Sequence, residues 1–68
     1  MSPQVRMIND IAAQFRHQAP DAAAAAIAEH IRAFWDPRMR AELARRVEAE
    51  PEALDPLALA AGRLLTTM

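Results

Sequence analysis

Proline fixes its own φ and has no backbone N–H, so it opens helices and closes them but does not sit inside them. Five prolines, at positions 3, 20, 37, 51 and 56, therefore divide this 68-residue chain into short segments that no long helix can bridge. Between them lie helix-forming alanine, arginine, glutamate and leucine; β-branched residues are scarce, apolar–polar alternation is lacking, and glycine occurs once, at Gly62. The expected fold is all-α, a small antiparallel helical bundle of three to four short helices forming a single domain over residues 1–68.

Ser2-Pro3 sets a capping hydroxyl before a first-turn proline and starts the first helix. At about 100° per residue, Val5, Met7, Ile8, Ile11, Ala12 and Phe15 fall on one side, and Arg6, Asn9, Asp10, Arg16 and His17 on the other. Pro20 ends this helix by pushing Ala19 out of the α region. Asp21 is the expected N-cap of the second helix, whose run from Ala22 to Ala26 favours helix while burying little. Further along, Ile27, Ile31, Phe34 and Trp35 make an apolar edge. Asp36-Pro37 then stops one helix and starts the next, which runs to about Glu50 on a narrow stripe of Met39, Leu43 and Val47. Arg38–Glu42, Glu42–Arg46 and Arg46–Glu50 are i, i+4 pairs of opposite sign. Glu50-Pro51-Glu52 reads as a connector, and a C-terminal helix from about residue 55 carries Leu57, Leu64 and Leu65. The first three helices should form the bundle, with the last closing it or lying across it, and Gly62 either frays that last helix or tucks against a neighbour.

Such a core is thin, because seventeen of the residues that count as hydrophobic are alanine. A domain near 60 residues buries only roughly 60% of its unfolded surface, and no cysteine is present to supply a disulfide or a thiolate site. A chain like this commonly draws stability from a partner. Eight arginines and nine carboxylates are interleaved for a net charge of −1, which argues against nucleic acid or an anionic membrane as the partner. No stretch approaches 18 uncharged apolar residues and no signal peptide is evident, so cytoplasmic residence is expected.

The material for catalysis is poor: no Cys, Tyr or Lys, one Ser at position 2, and Thr66 and Thr67 close to the end of the chain. No catalytic, cofactor-binding or metal-ligating residue is assigned. His17 and His30 have no metal-binding spacing, and His30 is expected at the rim of the core beside Ile27 and Phe34. Arg38, Arg40, Arg45 and Arg46 superficially suggest a DNA-reading helix, but Glu42, Glu48 and Glu50 share it. The interface-type residues concentrate at Phe34, Trp35, Asp36, Pro37, Arg38, Met39 and Arg40: an aromatic pair, a rigid turn and two arginines. Trp35 itself suits either a core plug or an interface anchor. Two functions remain open on these grounds, a subunit that packs on a larger protein and a self-associating helical module.

The segment Phe34-Trp35-Asp36-Pro37-Arg38-Met39-Arg40, preceded by Ala28-Glu29-His30-Ile31-Arg32, resembles the signature of the delta subunit of NAD-dependent formate dehydrogenase. Val5-Arg6-Met7-Ile8-Asn9-Asp10-Ile11-Ala12-Ala13 is similar to the family's opening helix, and Leu54-Asp55-Pro56-Leu57 to its last. The resemblance implies a non-catalytic accessory subunit of a cytoplasmic complex, supporting assembly, cofactor insertion or stability of the catalytic alpha subunit. It further implies that the partner subunits, not this chain, carry a molybdenum or tungsten bis-pterin, iron–sulfur clusters, FMN and NAD. The isolated chain would then be a candidate homo-oligomer.

Overall fold

The computed structural model describes residues 2–66; Met1, Thr67 and Met68 lie outside it. Four α-helices follow one another, α1 (Pro3–Gln14), α2 (Pro20–Phe34), α3 (Pro37–Ala49) and α4 (Pro56–Thr66), with a single 3₁₀ turn, Pro51–Ala53, between α3 and α4. Among the described residues there is no strand. Every helix begins on a proline at its first position, as the punctuation requires.

Three of the four starts are capped by a side chain. Ser2 Oγ accepts from the Val5 N–H at 3.1 Å, Asp36 Oδ1 from the Met39 N–H at 2.8 Å, and Asp55 Oδ1 from the Leu57 N–H at 2.9 Å. The second helix differs from expectation: its cap is Ala19, with no side-chain hydrogen bond, and Asp21 lies inside the first turn. Pro20 explains the shift, since its preset φ suits the first helical position and moves the boundary two residues upstream. From within the first turn the Asp21 carboxylate still complements the helix dipole. The first helix also stops early, at Gln14, and Phe15–Gln18 turn the chain before Pro20 is reached.

The core is Val5, Ile8 and Ala12 of α1, Ile27, Ala28 and Ile31 of α2, Leu43 and Val47 of α3, and Ala58 and Ala61 of α4, closed by Trp35 and Leu54. Met7, expected on the inward side of α1, is 37% exposed, and Leu64 of α4 also faces outward. Of the two placements expected for the last helix, closing the bundle of the first three is the one found. It touches all of them and packs most extensively on α2, whereas α2 and α3 share little. Small residues suit this packing: Ala23, Ala24 and Ala28 are among the buried positions of α2, and Ala58, Ala61 and Gly62 are the buried positions of α4, so neither helix holds the other off with bulk at these places.

A polar clasp fixes the connector onto α1. The Asn9 side chain donates through Nδ2 to the Ala53 carbonyl at 3.1 Å and accepts through Oδ1 from the Asp55 N–H at 2.8 Å. Arg16 pairs with the Asp55 carboxylate alongside. Asn9, read from the helical wheel as a surface residue, thus ties two segments more than forty positions apart and satisfies backbone groups that no helix satisfies.

Candidate functional site

The corner between α2 and α3 is built by two residues in extended conformation, Trp35 (φ −94°, ψ 139°) and Asp36 (φ −77°, ψ 167°). The Trp35 N–H still donates to the Ile31 carbonyl at 2.9 Å, while the Asp36 carbonyl accepts from the Arg40 N–H at 3.1 Å. One helix is thereby finished and the next begun without an intervening loop.

This turn separates the interface-type residues by direction. Trp35 points inward and is 7% exposed, a core member packed with Ile31 and Leu43 in the same cluster. Met39 is half-buried against that cluster. Phe34 goes the other way and is 74% exposed, its ring centroid 4.8 Å from that of His30 at an interplanar angle of 37°. His30, expected at the core's rim, is likewise exposed, because the 100° step that buries Ile27 and Ile31 turns positions 30 and 34 outward. Asp36, Pro37, Arg38 and Arg40 are all exposed. A truncation at Trp35 therefore acts on folding, and Phe34 is the aromatic of the pair left exposed.

Two open grooves flank α3. The first runs between α1 and α3 and is lined by Ser2, Gln4, Glu42, Arg45, Arg46 and Glu50, among others. Two of its three arginines are already matched: Arg46 Nε lies 2.7 Å from Glu42 and its Nη1 3.3 Å from Glu50, and Arg45 also pairs with Glu42, while Arg38 lines the groove without an ion pair among the described residues. Hydrogen bonds from Arg45 and Arg46 hold the Glu42 carboxyl below its usual range, and the Glu42 bond in turn raises Arg46. Of the three i, i+4 pairs expected on α3, Glu42–Arg46 and Arg46–Glu50 form; Arg38 makes no ion pair with Glu42.

The second groove is lined by Arg32, Pro37, Arg40, Ala41, Ala44, Leu65 and Thr66. It joins the end of α2, the start of α3 and the last turn of α4, and among the described residues no Asp or Glu lines it. Arg32 Nη1 is held by Glu29 Oε1 at 2.9 Å, and Arg40 is in no ion pair among the described residues. Residues Arg32, Ala44, Leu65 and Thr66 were not legible as part of a site, because nothing local shows that the end of α4 returns to the corner. No group of three or more His, Cys, Asp or Glu among the described residues converges as a metal site. No helix among them is long and apolar enough to cross a membrane. What the corner offers chemically is an exposed aromatic ring and exposed arginines.

Residues 4–61 match the family model described as NADH-dependent formate dehydrogenase delta subunit FdsD. No curated protein and no solved structure gives a significant match.

Proposed function

Since this chain belongs to the NADH-dependent formate dehydrogenase delta-subunit family, we propose that it is a non-catalytic accessory subunit that acts by binding the catalytic alpha subunit of that complex. Its role is to support assembly, cofactor insertion or stability of the alpha subunit in the cytoplasm. The bis-pterin metal, iron–sulfur clusters, FMN and NAD belong to the partner subunits. The contact is made by the corner from Phe34 to Arg40, with Trp35 and Met39 supporting it from within.

The observation that carries this reading is Phe34, three-quarters exposed at the same corner as Arg38 and Arg40, which are in no ion pair among the described residues, in a chain with few large apolar residues to spare. An exposed aromatic flanked by arginines is the composition of an interface hot spot. Leaving such a ring in water forgoes about 1.5–3 kcal/mol of burial, which a partner surface recovers.

Co-purification with a tagged alpha subunit tests this. Phe34→Ala combined with Arg38→Glu should lower recovery of the chain at least fivefold while its helical circular dichroism stays unchanged, both side chains being outside the core. A complex that loads its metal cofactor and turns over formate identically with and without the chain would overturn the role.

A further inference from the structure

The two grooves beside α3 differ in how their arginines are balanced: three arginines and two glutamates line the first, two arginines and no Asp or Glu among the described residues line the second. In the α1–α3 groove, Glu42 and Glu50 neutralise Arg45 and Arg46. In the groove of Arg32, Arg40 and Leu65, Arg32 is paired with Glu29 from its own helix and Arg40 is in no ion pair among the described residues. Its floor is apolar, from Pro37, Ala41, Ala44 and Leu65. Alanines at positions 41 and 44 keep the floor low enough for another chain's side chains to enter.

We propose that this groove receives an acidic, apolar peptide segment of the formate dehydrogenase complex, with aliphatic side chains seated over Ala44 and Leu65 and a carboxylate paired with Arg40. This rests on the subunit reading above and deepens it by naming the chemistry of the partner. Charge complementarity selects the occupant. A neutral apolar segment would cover Arg40 without supplying a counter-charge, which is unfavourable, and a basic segment would face two arginines. Nucleic acid is disfavoured because the neighbouring faces of α3 carry Glu42, Glu48 and Glu50. The groove also explains how α4 contributes to function, since its last turn supplies one wall.

Binding of the full-length chain to formate dehydrogenase complex purified without it, followed at 50 mM and 500 mM salt, tests the assignment. Arg40→Glu should weaken binding at least tenfold at low salt, Arg40→Lys should restore most of it, and Arg45→Glu in the α1–α3 groove, where Arg45 is already paired with Glu42, should change it less than threefold. The wild-type affinity should fall with salt, and the Arg40→Glu affinity should depend on salt less. A photo-crosslinker at position 44 should attach to a complex peptide rich in Asp or Glu. Wild-type binding with Arg40→Glu unaffected, or a crosslink joining two copies of this chain, overturns the groove and leaves the subunit reading standing. Absence of any wild-type binding overturns both.

Discussion

Gly62 stands where helix propensity and packing disagree, and packing prevails. A Cβ at this position would lie 2.8 Å from Val47 Cγ2, closer than two carbon atoms can approach, and valine's branched side chain cannot swing away as a long flexible one would. Glycine in a helix normally costs up to about 1 kcal/mol relative to alanine. Here its presence lets α4 lie directly on α3. Gly62→Ala should therefore lower stability by about 1–3 kcal/mol, the range for an overpacked core. In a Val47→Ala background, where the obstructing methyl is gone, the same substitution should raise stability through propensity alone. Urea unfolding of the four proteins of this cycle checks the reversal; a stabilising Gly62→Ala in the wild-type background would show that the helices separate at no cost. The sequence offered two readings of this glycine, a frayed end or a close approach, and could not choose between them. That choice depends on which residue of another helix sits opposite. Asn9 makes the same point with a polar side chain. Its place on the outer face of α1 was correct, but the connector that folds across it comes from more than forty residues away.

Within elements, the most legible features were those that backbone chemistry decides locally. Prolines 3, 37 and 56, each preceded by Ser or Asp, gave three helix starts with their caps, and Leu43 and Val47 proved to be the buried stripe of α3. Ala19-Pro20 was misread because its cap has no side chain to announce it. Charge patterning on α3 was also readable, and it carries a pH consequence. Arg45 and Arg46 depress the Glu42 pKa in the folded protein, so near that pKa the folded state binds fewer protons than the unfolded one. Stability from this carboxylate is fully present above the ordinary glutamate range and is lost as pH falls through the lower folded value. Glu42→Gln should therefore flatten the acid limb of the stability profile below about pH 4.5 and leave the shape above it unchanged. Thermal melts at a series of pH values, low salt, compare the two; an equally steep acid limb in the variant would mean that the pairing exerts no such linkage.

At the scale of the whole molecule, the order in which the chain is made is not the order in which its core is shared. The sequence suggested three helices with a fourth closing them or lying across them; α4 closes them, touching all three and packing most on α2, and α1 likewise touches every other helix. Periodicity could not reveal this, because the buried positions of α4 are alanine and glycine, which carry almost no hydrophobic signal. The same feature sets the energetics. With a radius of gyration of 10.5 Å the chain is fully compacted, but its large, fully buried side chains are Ile8, Ile27, Ile31, Leu43 and Val5. A protein of this length has about 3–10 kcal/mol of stability at the usual per-residue yield, and truncating one buried isoleucine removes about 2–5 kcal/mol. Ile27→Ala should thus abolish the cooperative melt of the isolated chain. A partner that binds only the folded form adds about 2.7 kcal/mol at a hundredfold excess over Kd, so the formate dehydrogenase complex should restore protection of Ile27→Ala against limited proteolysis. Phe34→Ala should behave in the opposite way, keeping its melt when alone and gaining little protection from the complex. If the two variants respond alike, the inward and outward faces of the α2–α3 corner do not divide the labour of folding and binding, and the physical separation of Trp35 from Phe34 carries no functional weight.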